Sequence, residues 1–114
     1  MDDYKIKLLL REFAKERDWD QFHSLKNLVC ALSVEASELL EIFQWINLTD
    51  EKINDVALKE KISDEVADIM LYLIRFADKA DINLEEACLK KIQKNSKKYP
   101  VDLAKGVSKK YDEL

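Results

Sequence analysis

Apolar residues recur at three- and four-residue intervals along most of the chain, the spacing of one face of an α-helix. Ile6, Leu9, Leu10 and Phe13 set a first helix over about 2–17. The pattern breaks from Asp18 to Asn27, where Trp19, Phe22 and His23 cluster. It resumes in a second helix over about 25–46, striped by Leu28, Leu32, Leu39, Phe43 and Ile46. The polar connection 47–54 follows, in which Thr49 or Asp50 can cap a short helical turn. A third helix is predicted over about 55–80, with Ile62, Val66, Ile69, Leu73 and Phe76 inward. Asn83 reads as an N-cap, with Glu86 at capping-box spacing. The fourth helix, striped by Leu84, Cys88, Ile92 and Tyr99, stops at Pro100. The lysine-rich tail 101–114 reads as an extended segment or weak helix. No linker or low-complexity stretch interrupts this order. The expectation is one all-α domain over 1–114, a four-helix bundle with short connections.

Composition supports helices and narrows the partners. One Gly and one Pro leave little turn chemistry for a multi-stranded β fold. Charged residues at 37% beside 47% hydrophobic suit amphipathic helices, not a disordered chain. A net charge of -4 gives no general attraction for nucleic acid or an anionic membrane, so an anionic ligand needs lysines or a metal ion locally. The longest apolar run, Ile69 to Ile74, is too short to span a bilayer. The acidic start, Met1 to Lys5, has no signal-peptide pattern, and a cytoplasmic protein is expected. Cys30 and Cys88 sit in helical patterns, not in a short-spaced motif, and are expected as buried, reduced thiols. A chain of 114 residues buries a limited share of its surface, which partner copies would increase.

The informative pattern is acidic. On helical wheels Glu35 falls inside the second stripe, beside Leu28, Leu39 and Ile46, with Glu38 at its edge. Glu65 falls among Ile62, Ile69 and Phe76 of the third stripe, with Asp68 at its edge. The segments Glu35-Ala-Ser-Glu38-Leu-Leu and Glu65-Val-Ala-Asp68-Ile-Met form a short internal repeat. Four carboxylates turned into a core repel one another and lose hydration. Arg75 and Lys61 are the nearest basic residues, and a divalent cation is the economical counter-charge. An all-oxygen set suits Mg²⁺ or Mn²⁺ better than Zn²⁺. A carboxylate di-iron site would need Glu-x-x-His on two helices, and the single histidine, His23, is not so placed. Solvated, ion-paired faces account for Glu41, Glu51, Glu60 and Glu85.

Trp45 follows Glu38 by seven residues and Tyr72 follows Glu65 by seven, which sets both rings on the acidic lines. Asn95 lies in the fourth stripe, where a buried amide needs a partner, and Lys91 and Lys98 flank it, with Lys94 further out. Metal and lysines suit a polyphosphate, rings suit a base, and an amide reads polar edges. The same residues also fit plainer roles: Trp45 and Tyr72 as core, His23 as a loop residue, the lysines as a solvated face. Spacing alone yields a metal site with a ligand pocket and no reaction.

The order E-x-x-E, 26 intervening residues, E-x-x-D resembles the MazG-like all-α nucleotide pyrophosphohydrolases, and most of all their dCTP pyrophosphatase branch. The resemblance is carried by Glu16 to His23, Asn27-Leu28, Glu35 to Trp45 (EASELLEIFQW), Glu65-Val-Ala-Asp68 with Tyr72-Leu73, Asn95, Lys98-Tyr99-Pro100 and Lys109-Lys110-Tyr111. It implies hydrolysis of deoxynucleoside triphosphates to monophosphate and pyrophosphate, dCTP favoured and dATP or others open, as nucleotide-pool house-cleaning. It implies Mg²⁺, with Mn²⁺ as a substitute, on Glu35, Glu38, Glu65 and Asp68, the same four forming the catalytic set. Glu38, at the stripe edge, is read as the acceptor of the attacking water's proton. Trp19, Asp20, Gln21, Phe22, His23, Trp45 and Tyr72 would line the substrate pocket, and Lys91, Asn95 and Lys98 would lie near base and phosphates. The resemblance also implies a homo-oligomer, commonly a tetramer built as a dimer of dimers, with pockets drawing on more than one subunit. Leu10 stands where the nearest branch can carry a pocket histidine, and the 47–60 connection is short; both bear on base preference. The competing expectation is a non-catalytic helical oligomer that binds nucleotide or metal.

Overall fold

A computed structural model describes residues 1–46 and 54–114, and every regular element among them is helical. Helix α1 spans Asp3–Glu16, α2 Leu25–Ile42, α3 Val56–Lys79, α4 Leu84–Lys98 and α5 Val101–Ala104. Single 3₁₀ turns occupy Asp20–Phe22 and Tyr111–Glu113. Each long helix begins on a short polar side chain. Asp2, Ser24, Asp55 and Asn83 accept from the backbone N–H three residues on, at 3.0 to 3.1 Å, satisfying a donor the helix itself cannot. The Asn83 cap is thus as expected, whereas the Glu86 carboxylate pairs forward with Lys90 at 2.6 Å. Thr49, Asp50 and Glu51 lie outside the described residues.

The chain forms two compact units, Met1–Asp81 and Ile82–Leu114. In the first, α3 is central; α2 packs along it and α1 lies against it. Ala14, Leu28, Ile74 and Ala77 are buried there, together with Arg75. The face of α1 turned inward is Ile6, Leu10 and Ala14, not the whole predicted stripe: Leu9 is 62% exposed. Phe13 instead meets Trp19 edge-on at 5.7 Å, with the Arg17 guanidinium 3.6 Å from its ring centroid. Helix α1 carries apolar residues on two faces, and periodicity alone does not say which one α3 covers. On α3, Val66 is 49% exposed, while Ile74 and Ala77 supply the centre. Ile74→Ala is expected to destabilise the chain by about 3 kcal/mol, because a residue 2% exposed leaves a cavity when truncated; urea unfolding measures it.

The expectation of buried thiols is wrong for both cysteines, which are free and exposed. Cys30 lies about 200° round the wheel from buried Leu28, on the side of α2 away from its most buried residue. In the second unit, α4 ends at Lys98 and Pro100 caps the short α5. Gly106, at φ +79, turns the chain in the left-handed region that glycine tolerates. Tyr111 then meets Tyr99 edge-on at 6.4 Å, and the Lys98 ammonium sits 4.8 Å from the Tyr111 ring centroid. The tail is therefore partly helical.

Candidate functional site

Helices α2 and α3 bring the acids together. One carboxylate oxygen from each of Glu35, Glu38 and Glu65 lies within 4.8 Å of the others, close enough for a single cation to touch all three. Asp68 stands outside that trio, yet its charge reaches both Glu35 and Glu65. Oε2 of Glu35 and Oε2 of Glu65 are shut from solvent and have no hydrogen-bond partner, as the wheels anticipated for the two residues inside the stripes. Burial, followed by the neighbouring carboxyls of Glu38 and Glu65 and the charge of Asp68, pushes Glu35 up to about 7. Glu65 is raised too, by burial first, while the adjacent Glu35 carboxyl works the other way. Among the described residues no Lys or Arg forms an ion pair with any of the four acids. Arg75, the candidate counter-charge, is engaged elsewhere, with Asp20 at 2.7 Å and Asp78 at 3.6 Å. Unpartnered buried oxygens in a hard, all-oxygen trio are what a divalent cation fits.

The second cluster is the turn between α1 and α2. Helix α1 ends in a pair of reverse bonds: Trp19 N–H donates to Ala14 O at 2.8 Å and Asp18 N–H to Lys15 O at 3.1 Å. Asp18 carries the left-handed residue of this ending, at φ 54, where glycine is usual. Gln21 folds back onto Asp18 through its O and Oδ2, and Asn27 Nδ2 donates to Phe22 O at 2.9 Å. Arg75 and Lys79 of α3 both donate to Asp20 Oδ1, at 2.7 and 2.5 Å. The Lys79 bond, more than the charges, holds the Asp20 carboxyl below its ordinary range. Of two residues expected to line a pocket, Asp20 thus uses Oδ1 and Gln21 uses Nε2 to hold the turn, while Trp19 and Phe22 keep exposed rings. Arg75 Nε donates to His23 Nδ1 at 3.2 Å, which ties the last residue of the turn to α3.

One face of α3 connects the two clusters. Glu65, Asp68, Tyr72, Arg75 and Lys79 follow at steps of three and four, within about 80° of arc. Tyr72 is half-buried between the acids and the cations along that line. Trp45 departs from expectation: α2 ends at Ile42, so Trp45 lies beyond the helix in a turn, 89% exposed, and neither shares the helical line of Glu38 nor joins the core. Lys91, Asn95 and Lys98 are on α4 in the second unit and are exposed. Lys91 helps line a groove of about 390 Å³ there, with Ile82, Asn83, Glu86, Ala87, Lys90 and Lys94.

Comparison with known proteins adds to this geometry. The chain is 39% identical to mouse (Mus musculus) dCTP pyrophosphatase 1 over 96% of its own length and 65% of that protein's, and 40% identical to the bovine (Bos taurus) protein of the same name over 96% and 66%. It therefore spans slightly less than two thirds of these relatives. A pyrophosphatase from Archaeoglobus fulgidus DSM 4304, solved as a crystal structure, superposes with a TM-score of 0.73 at 43% identity, covering 81% of this chain and 86% of that one. The MazG-like family model matches residues 30–114, a stretch that takes in Glu35, Glu38, Glu65 and Asp68, and the chain belongs to the MazG-like family.

Proposed function

We propose that the chain hydrolyses deoxynucleoside triphosphates to the monophosphate and pyrophosphate, with dCTP favoured, using a divalent cation, Mg²⁺ or in its place Mn²⁺, on Glu35, Glu38, Glu65 and Asp68. The observation that carries this reading is the pair of buried, unpartnered oxygens on Glu35 and Glu65 within a three-carboxylate cluster. The names of the mouse and bovine relatives and of the archaeal structure favour the same reaction. When bound, the cation supplies charge neutralisation at the phosphates and a more acidic water.

The chain's own residues do the rest. Glu38 takes the proton of the water attacking the α-phosphorus, since a carboxylate within hydrogen-bond reach is a competent base. Glu35, Glu65 and Asp68 act chiefly as ligands. Tyr72 and the exposed rings of Trp19, Phe22 and Trp45 offer flat surfaces for a base. Lys91, Asn95 and Lys98 take their roles at base and phosphates from the family resemblance. The reading includes a homo-oligomer, a tetramer as a dimer of dimers. Leu9 and Leu40, 62% and 71% exposed, favour coverage by a further copy. Among the described residues no helix is long and apolar enough to cross a membrane.

A panel of dNTPs and NTPs with Mg²⁺, reading monophosphate and pyrophosphate together, tests this. dCTP is expected to be turned over fastest, giving equal amounts of dCMP and pyrophosphate. Release of inorganic phosphate with dCDP would refute the cleavage position. Binding of every nucleotide without turnover would leave a non-catalytic binding protein.

A further inference from the structure

Arg75 is 6% exposed, the one buried charged side chain among the described residues. Its charge is offset by Asp20 and Asp78 on either side. Its Nε–H has a different target, Nδ1 of His23 at 3.2 Å. A guanidinium N–H only donates, so Nδ1 must hold a lone pair. A neutral imidazole with its lone pair on Nδ1 carries its hydrogen on Nε2. The ring is also kept neutral: burial, then the charges of Arg75 and Lys79, lower the His23 pKa, while Asp20 works in the opposite direction. Among the described residues none accepts a hydrogen bond from Nε2. Lysine at 75 would supply the charge but not a rigid fork that reaches Asp20 and His23 at once.

We propose that Arg75 is a positioning residue that locks His23 in the Nε2–H tautomer, so that the α1–α2 turn presents a fixed donor to an acceptor atom on the substrate's base, a carbonyl oxygen or ring nitrogen. This rests on the hydrolase reading for the identity of the ligand. The spacing agrees: Arg75 lies seven residues beyond Asp68 on the same face of α3, about 10 Å along the axis, comparable with the length of a nucleoside. With metal and phosphates at the acids, the base reaches the turn. Asp20, itself held by Lys79, and Asp78 keep Arg75 in place.

The chain has a single histidine, so a long-range ¹⁵N–¹H spectrum of the labelled 114-residue chain reports one imidazole. A pyridine-type Nδ1 and a pyrrole-type Nε2 are expected, with R75K giving mixed tautomers at unchanged far-UV circular dichroism. A hydrogen on Nδ1 in the parent protein overturns the proposal, as does an unmixed tautomer in folded R75K. Titration with dCMP and Mg²⁺ is expected to shift Nε2; dCMP that moves the tryptophan indole signals but not Nε2 overturns the donor role. In kinetics, H23N is expected to raise the KM for dCTP about tenfold with little change in kcat. H23Q, whose amide nitrogen can stand where Nε2 does, is expected to recover most of that loss. R75K is expected to raise KM beside His23 but to add little in the H23Q background; an equal loss in both backgrounds makes Arg75 merely structural and overturns the proposal. A parent protein that releases no pyrophosphate from any dNTP defeats the hydrolase reading, and the spectra still decide the tautomer.

Discussion

Glu38→Gln is expected to lower pyrophosphate release from dCTP by about a thousandfold or more, with far-UV circular dichroism unchanged. Gln keeps the shape of the side chain and one oxygen at the cluster, but it cannot take a proton. Glu38 shares the three-carboxylate trio with Glu35 and Glu65, whose inward oxygens are sealed from solvent. Sealed oxygens suit ligands, and a proton acceptor needs access to the attacking water. A Glu38→Gln protein that retains more than a tenth of the parent rate would remove Glu38 from that role. The parallel change at Asp68, which stands outside the trio, should cost less than the change at Glu38.

The acids were legible because two local patterns coincided. Each pair occupies positions i and i+3 of an apolar stripe, and a wheel needs no tertiary information to show it. Arg75 was harder. It lies between Ile74 and Phe76, and the available signal was a charge in an otherwise apolar run. Its partners, Asp20 and His23, are 55 and 52 residues away, so the sequence suggested the acids as its target when the fold gives it the turn. The end of α2 had no warning at all: no Gly or Pro precedes Trp45, and the helix stops at Ile42 with Phe43 and Gln44 in tight backbone turns. The end of α1 carries Asp18 where a glycine would have announced it. The cysteines were misplaced because a helical pattern fixes spacing but not which face a neighbour covers.

Glu35→Gln should abolish the response to Mg²⁺ and turnover while making the metal-free protein more stable above pH 7. Glu35 titrates at about 7 in the folded chain, against 4.5 as its ordinary value. The folded state therefore holds that proton more tightly than the unfolded state. Its contribution to stability is fully present below about 4.5 and is lost as pH rises through about 7. The melting temperature of the metal-free parent should accordingly fall across that window, and the fall should be smaller for Glu35→Gln, which carries no charge to desolvate. Mg²⁺ is expected to reverse the parent's deficit: a ligand at a hundred times its Kd stabilises by about 2.7 kcal/mol, several degrees for a chain of this size. Melting curves at pH 5 and pH 8, with and without Mg²⁺, read all of this. A parent that melts at the same temperature with and without Mg²⁺ at pH 8 defeats the metal assignment.

Helix α3 has a consequence of another kind. Its face from Glu65 through Asp68, Tyr72 and Arg75 to Lys79 sets the separation of the acids from the turn by counting residues. Chain length is the ruler, and no one side chain holds the measurement. A substitution along the line removes one contact and leaves the others in register. Inserting or deleting a single residue between Asp68 and Arg75 rotates one end against the other by about 100°, parting the two clusters while every functional side chain is still present. The constraint on this site is therefore lopsided: a substitution along the face costs its own contact, whereas a change in the count misaligns all of them at once.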